Sequence, residues 1–155
     1  MQIIKDYKNN KTLRAKNLPV EQIDGQLKAT IQEMRRLMSL ENGVGLAAPQ
    51  VGINQRFFVI ELENKYYVFI NPKVLQYSKE CVDMEEGCLS VPDQAGVVTR
   101  PAELTIEAYG TNNKKFKLKA KGVLARVIEH ENDHLEGILF IDKAKSLKSK
   151  NSHNY

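Results

Sequence analysis

The segment His-Glu-Asn-Asp-His at residues 130–134 has the residue types and spacing that metal-dependent hydrolysis needs. Residues four positions apart lie on one face of a helix, so the imidazoles of His130 and His134 can point at the same ion. Glu131 lies one position along, within reach of a water on that ion, where a carboxylate can transfer protons. The chain has only three histidines, so a chance match is rare. The segment therefore predicts a mononuclear metal hydrolase.

A third metal ligand is missing from this segment, because a catalytic site needs three protein ligands and an open position for water. Downstream, Glu136 lies too close along the helix, and Asp142 and His153 lie at the edge of the C-terminal tail or within it. The third ligand is therefore expected upstream, and Cys88 is the best candidate. It follows a glycine in a segment that predicts an extended turn, and a thiolate is a strong ligand for a borderline-soft metal. The alternative for Cys88 is a small buried apolar residue.

An amphipathic helix is predicted over residues 21–40, because apolar residues recur there at spacings of three and four. It ends near Asn42-Gly43, which suits a left-handed cap. The following segment, residues 43–52, is dense in small residues and closes with proline and glycine. It cannot form a regular helix, and its glycines permit close backbone approach.

Strands and a second helix are predicted in the rest of the chain. Asn71-Pro72 is expected to end one strand, and the turn residues Gly110-Thr111-Asn112-Asn113 separate two others. The last helix is expected to end at Gly137. The predicted strands are residues 56–62, 65–70, 103–109 and 115–121, and the helix is about residues 122–135. Helix, strands and helix in this order indicate an α+β domain.

One catalytic domain is expected over residues 1–155, with residues 1–20 as an irregular arm and residues 142–155 as a basic, frayed tail. No apolar run approaches the ~20 residues that cross a bilayer, and no signal-peptide pattern is present. A cytoplasmic protein with no membrane partner is therefore expected. The net charge is +4, but the cations are scattered, so no specific nucleic acid is expected. The charge is compatible with a transient ribosome contact.

Three segments carry a family resemblance when they are taken together. They are Gly43-Val44-Gly45-Leu46-Ala47-Ala48-Pro49-Gln50, Glu86-Gly87-Cys88-Leu89-Ser90 and His130-Glu131-Asn132-Asp133-His134-Leu135-Glu136-Gly137. In order and spacing they resemble the three signature motifs of the peptide deformylase family. The resemblance covers nearly the whole chain, and the three motifs together are highly specific. It implies an α+β fold in which antiparallel β-sheets pack around a central C-terminal helix that bears the histidine motif.

The resemblance also implies an activity: hydrolysis of the N-formyl group from the N-terminal formyl-methionine of new proteins, with release of formate. The partners would be N-formylmethionyl nascent peptides in a bacterial or organellar translation compartment. By motif position, Cys88, His130 and His134 match the metal ligands and Glu131 matches the general acid/base. The implied cofactor is one divalent metal ion, Fe²⁺ in cells, while the ligand chemistry also permits Zn²⁺, Ni²⁺ or Co²⁺.

The remaining site residues come from the same motifs and from their neighbours. Gln50 matches a side-chain amide that donates to the formyl oxygen as it becomes negative, and the backbone N–H of Leu89 matches its partner. Gly45 and Glu86 match positions that line or support the site. A pocket for the methionine side chain is expected beside the three motifs, with four apolar candidates: Val44, Met84, Val127 and Ile128.

This sequence departs from the family pattern at three places. Ala95 stands where arginine is common, which predicts weaker binding of the peptide beyond its first side chain. Glu129 stands where glutamine is usual, and it adds a negative charge beside the ligand helix. The Asp-Pro pair often found before Leu13-Arg14 is missing. Because none of these positions is a predicted metal ligand or the acid/base, activity is still expected.

Two other functions compete with this interpretation. A structural metal module would need a fourth protein ligand, and only Cys81 or His153 could supply one. An endopeptidase of the His-Glu-x-x-His type would need a downstream ligand that this chain does not offer, and it would leave the two upstream motifs unexplained. Cleavage of an internal peptide bond, compared with formate release, separates the endopeptidase from the favoured function.

Overall fold

Two α-helices and eight β-strands make up residues 1–150, the part of the chain that the structure, a computed structural model, describes. The helices are α1 (Gly25–Leu40) and α2 (Gly122–Leu135). The strands are β1 (Gly45–Ala47), β2 (Phe57–Leu62), β3 (Lys65–Tyr77), β4 (Cys81–Cys88), β5 (Val91–Pro101), β6 (Glu103–Tyr109), β7 (Lys115–Lys121) and β8 (Ser146–Ser149). Neither helix is long and apolar enough to span a bilayer.

The strands form two antiparallel sheets, and α2 packs against both of them. One sheet has five strands in the order β1-β2-β3-β6-β7, and the other has three in the order β4-β5-β8. Apolar residues of α2 pack into a core with the five-stranded sheet. On the other side, Arg126 of α2 donates to the backbone carbonyls of Val98 and Val82 in the three-stranded sheet. The predicted α+β fold, with antiparallel sheets around a central C-terminal helix, is confirmed.

Strand β2 separates the two helices, because successive side chains of a strand point to opposite faces. Phe58 and Ile60 lie in the core with α2, whereas Phe57 and Val59 lie in the core with α1. Helix α1 begins at Gly25, four residues later than predicted. The reason is its N-cap: the Asp24 side chain accepts a hydrogen bond from the backbone N–H of Leu27 at 2.9 Å.

The prediction that Asn71-Pro72 ends a strand is wrong, since β3 continues to Tyr77. The register of β3 against β6 shifts between Ile70 and Lys73, and Asn71 has a φ of 50°. Such a bulge accommodates a proline, which has no N–H to give to the ladder. The Asn71 side chain also exchanges two hydrogen bonds with the backbone of Val20.

The C-terminal segment is the second difference from the sequence prediction. The prediction of a frayed tail from residue 142 is wrong for the described residues up to 150, because Phe140–Asp142 forms a 3-10 turn and β8 pairs with β5. The close approach of β8 to β5 needs a glycine at position 96, because an added Cβ there would lie 2.5 Å from the carbonyl oxygen of Ser146. Residues 151–155 lie outside the described residues.

Candidate active site

Three atoms that could bind a metal ion lie close together, one from β4 and two from α2. Helix α2 places His130 and His134 one turn apart on the same face, with ring centroids 5.1 Å apart. Cys88 reaches them from the end of β4, and its Sγ lies 3.4 Å from Nε2 of His134. The Sγ and one nitrogen from each histidine all lie within 4.8 Å of one another. The residues that the sequence predicted as ligands therefore form one cluster.

Glu86 orients His130 from behind the cluster. The Nδ1 of His130 lies 2.8 Å from Oε1 of Glu86. The Glu86 carboxylate also accepts hydrogen bonds from Arg100, at both of its oxygens, and from Arg126, at Oε2. Burial pushes the pKa of Glu86 upward, but the hydrogen bonds from His130 and Arg100 and their charges outweigh it and hold the pKa well below its usual value. The ionised carboxylate keeps the proton of His130 on Nδ1, which leaves Nε2 free to act as a ligand.

The donor set fits a divalent transition metal ion. Burial lowers the pKa of His130, but hydrogen bonds with Cys88 and Glu86 outweigh this effect and raise it. The thiol and carboxylate that favour a proton on this ring would equally favour a metal cation beside it. Burial holds the pKa of His134 well below its usual value, so this ring offers a neutral nitrogen. One sulfur and two imidazole nitrogens suit zinc, ferrous iron, cobalt or nickel.

Glu131 lies buried beside the three ligands. Its Oε2 has no hydrogen-bond partner within residues 1–150, and burial raises the pKa of Glu131 to about 7. Gly45 of β1 lies against this carboxyl: an added Cβ there would be 2.5 Å from Oε1. A carboxyl group with a pKa near neutral, in a cleft and without a fixed partner, is suited to proton transfer.

Gln50 points an amide N–H at the same place. It lies in a 3-10 turn at Ala48–Val51, where its Oε1 accepts a hydrogen bond of 2.9 Å from the backbone N–H of Ala47. Its Nε2 therefore faces the site, 3.5 Å from Sγ of Cys88 and 3.2 Å from Oγ of Ser90. An amide held in this way is a donor aimed at any atom that reacts beside Cys88.

A cleft of about 770 Å³ opens onto these groups. Of the predicted lining residues, the cleft contains Val44, Gly45, Gln50, Glu86, Leu89 and Val127. The prediction that Met84 lines this cleft is wrong, because Met84 lines a separate cavity with Val82 and Pro101. Met84 lies four positions before Cys88 in β4, roughly 13 Å along an extended chain. Ile128 is fully buried in the core against the five-stranded sheet, and it does not line this cleft either.

Two arginines were missed by the sequence interpretation. Arg100 comes from β5 and forms buried ion pairs with Glu86 and Asp133 at 2.6 and 2.8 Å. Arg126 comes from α2 and lies 2.7 Å from Glu86. A signal existed for Arg126, which precedes His130 by four positions and so shares its helix face. No local signal marks Arg100, because its strand was not predicted.

The departures at residues 95 and 129 have clear structural settings. Ala95 is buried, and its backbone pairs with Lys148 of β8. Glu129 is buried on α2, where burial raises its pKa to about 7. Its Oε2 has no hydrogen-bond partner in the described part of the chain. Neither side chain lines the cleft.

Comparisons with known proteins agree with this geometry. A family model described as polypeptide deformylase matches residues 1–150. A peptide deformylase of Treponema pallidum (strain Nichols) is 47% identical over 125 residues, which cover 81% of this chain and 77% of that protein. Peptide deformylase 1 of Clostridium perfringens is 45% identical over 138 residues, which cover 88% and 93%. Among solved structures, the peptide deformylase of Thermotoga maritima superposes with a TM-score of 0.90 at 39% identity and covers 94% of this chain and 97% of that one.

Proposed function

The chain belongs to the polypeptide deformylase family, and on that premise we propose that it hydrolyses the N-formyl group of formyl-methionyl nascent peptides and releases formate. The observation that carries the proposal is the meeting of Cys88, His130 and His134 with a buried carboxyl, Glu131, in one cleft. We further propose that residues 1–155 form a single catalytic domain, which the family match over residues 1–150 supports.

We propose that Cys88, His130 and His134 hold one divalent metal ion, with Fe²⁺ as the ion in cells. Zn²⁺, Ni²⁺ and Co²⁺ suit the same donors and are expected in preparations. When bound, such an ion lowers the pKa of a water molecule and polarises a carbonyl oxygen. Cys88 and His130 line the cleft, which suits a catalytic site, because such a site must be reached by water and substrate.

Glu131 and Gln50 carry the protein's own part of the reaction. Glu131 accepts a proton from the attacking water on its carboxylate and returns it to the departing amine. The pKa near 7 suits both directions of this transfer. The Nε2 of Gln50 and the backbone N–H of Leu89 donate to the formyl oxygen as it gains negative charge, which is worth about 3 kcal/mol per donor in comparable sites.

The methionine side chain is proposed to enter the cleft against Val44 and Val127, while Gly45 and Glu86 support its walls. A larger residue at position 45 would collide with Glu131, which explains why a glycine suits this wall. The setting would be a bacterial or organellar translation compartment, including the cytoplasm of a bacterium. The net charge of +4 supports at most a transient ribosome contact.

The test is formate release from formyl-Met-Ala-Ser by anaerobically prepared protein, with metal analysis of the same sample. Glu131→Ala should lower kcat by about 10²- to 10⁴-fold, because a positioned acid/base contributes that much, while the metal is retained. Cys88→Ser should lose the metal and the activity together. Cys81→Ser is the matched control, because Cys81 is exposed and outside the cluster.

Three results would contradict these proposals. Full activity of Glu131→Ala would exclude the proposed acid/base. Cleavage of internal peptide bonds without formate release would favour an endopeptidase. A metal centre with four protein ligands would indicate a structural site. Cys81 does not belong to the cluster in the described residues, and His153, the other candidate for a fourth ligand, lies outside them.

A further inference from the structure

A lysine from the C-terminal segment lies in the wall of the cleft. Lys150 follows β8, and its backbone N–H donates to the carbonyl oxygen of Asp93 in β5 at 3.0 Å. Its side chain crosses the backbone at Gly87, where an added Cβ would lie 2.6 Å from Nζ. Because Gly87 immediately precedes Cys88, the Lys150 ammonium borders the proposed metal site.

The Lys150 ammonium has no carboxylate within 4.0 Å in residues 1–150, whereas Lys5 of the same wall pairs with Glu41 at 3.9 Å. The carboxylate of Asp93 also lines the cleft, and it accepts a hydrogen bond from the hydroxyl of Tyr7 at 3.2 Å.

The two acids that lie deeper in the cleft do not neutralise Lys150 either. Glu86 is held by Arg100 and Arg126, and Glu131 is buried among the ligands. Among residues 1–150, no carboxylate pairs with this ammonium, so in the described part of the chain it presents a positive charge to the cleft.

We propose that Lys150 forms a subsite for a carboxylate of the substrate, so that formyl-methionyl peptides with an acidic residue soon after the methionine are preferred. This inference rests on the proposed function, because it concerns the substrate of the same cleft. An extended peptide advances ~3.3–3.6 Å per residue. An ammonium beside Gly87, next to the ligand Cys88, therefore addresses the first or second residue after methionine.

The experiment compares kcat/KM for three amide-capped peptides on metal-loaded, full-length protein: formyl-Met-Ala-Ser, formyl-Met-Glu-Ser and formyl-Met-Ala-Glu. Amide caps remove the terminal carboxylate as a competing anion. At low salt, the wild type should prefer one acidic peptide by about two- to fivefold, the range of a single solvent-accessible charge pair. The preference should fall as ionic strength rises.

Variants assign this preference to its residue. Lys150→Ala should bring the acidic-to-neutral ratio close to one, and Lys150→Glu should bring it below one. Lys148→Ala is the matched control, because Lys148 lies two positions earlier, pairs with exposed Glu85 at 2.9 Å and does not line the cleft. It should keep the wild-type ratio. The effect should appear in KM more than in kcat, because the contact is made equally in the bound and reacting states.

A second measurement keeps the inference separate from turnover. The affinities of metal-free protein for the same peptides, followed by NMR titration, should show the same order and the same dependence on Lys150. Equal ratios in the wild type and in Lys150→Ala, with formate released from every peptide, would overturn the subsite alone. Failure to release formate from any peptide would overturn the proposed function, and the affinity ratio would then decide on Lys150.

Discussion

Glu86 links His130 to two buried arginines, Arg100 and Arg126. Its carboxylate accepts hydrogen bonds from His130, Arg100 and Arg126, at distances between 2.6 and 3.0 Å. Both arginines are buried. Arg126 pairs with Glu86, whereas Arg100 is shared between Glu86 and Asp133. The residue thus holds the orientation of a ligand and the stability of the core together.

Replacing Glu86 should therefore have two effects. Glu86→Gln keeps the shape but removes the charge, so metal affinity should fall about 10- to 100-fold. The free energy of unfolding should fall by about 3–5 kcal/mol, because the buried Arg126 loses its carboxylate partner and Arg100 keeps only Asp133. Metal titration and denaturant unfolding measure these effects. Glu85→Gln, at the exposed neighbouring position, should change neither by much, and wild-type metal affinity in Glu86→Gln would disprove the orienting role.

Gly45 is a second residue whose replacement should act on the site alone. In Gly45→Ala the added methyl would lie 2.5 Å from Oε1 of Glu131, so the carboxyl must move. A displacement of about 1 Å can cost about 10²-fold in kcat, and formate release measures it. Gly25→Ala is the control, because nothing lies within 4 Å of a Cβ at that position. Equal kcat values for the two variants would show that Glu131 tolerates the shift.

The clustering of Cys88, His130 and His134 was predictable because metal binding constrains the spacing of its ligands. Two histidines four positions apart supply only two of the three protein ligands that a catalytic metal site needs. The search for the third ligand led to Cys88. Arg100 was not predictable in this way, because a buried ion pair between distant strands and helices has no spacing rule along the chain. Arg126 did carry a signal, its position four residues before His130 on the same helix face, but that signal was overlooked. The prediction that Met84 lines the cleft was wrong for a related reason: closeness in sequence to a motif does not determine which way a side chain points.

Among the elements, predictability followed the apolar pattern. Strands β6 and β7 were predicted with their observed bounds, since buried and half-buried residues alternate in β6 and apolar residues alternate with lysines in β7. Strand β4 has one buried residue in eight, and all four residues of β8 are exposed, so neither shows an apolar face. Strands β4 and β8 form through backbone pairing with β5, and side-chain patterns do not reveal such pairing.

The docking of β8 depends on one glycine, which can be tested directly. In Gly96→Ala the new methyl would lie 2.5 Å from the backbone oxygen of Ser146, which cannot move aside as a flexible side chain would. The amides of β8 should then lose protection against hydrogen exchange. Gly110→Ala is the control, because its methyl would meet only the Asn112 side chain, at 3.1 Å. Unchanged protection in Gly96→Ala would show that β8 adapts.

For the whole molecule, the N-terminal arm closes over the end of α2. Arg14 forms two hydrogen bonds with the carboxylate of Asp142, at 2.6 and 3.1 Å, and a third with the carbonyl of Gly137. Asn17 donates its backbone N–H to the carbonyl of Leu135. The first and last parts of the described chain are thereby fastened to each other beside the ligand helix.

The ion pair between Arg14 and Asp142 should make the stability of the fold depend on pH. Burial raises the pKa of Asp142, but hydrogen bonds from Arg14 and the Leu139 backbone outweigh it, so the pKa lies below its usual value. A lowered pKa stabilises the fold above the usual value near 4, and this contribution is lost as the pH falls further. At pH 7, Asp142→Asn should melt below the wild type, and the gap should close below pH ~4.

Arg14→Met provides the reciprocal test of the same pair. It should show a converging gap in melting temperature, and the double variant should add little to either single change. A gap that stays constant from neutral to acid pH would show that the ion pair contributes nothing to the acid response.

The contact between Gly45 and Glu131 also has a consequence for the time course of folding. It joins residues that are 86 positions apart, and such distant pairs form slowly because a long loop must close before they meet. Local hairpins such as β6–β7 need no such closure. During refolding, hydrolytic activity should therefore return only after the sheets have formed, as one of the last properties the chain acquires.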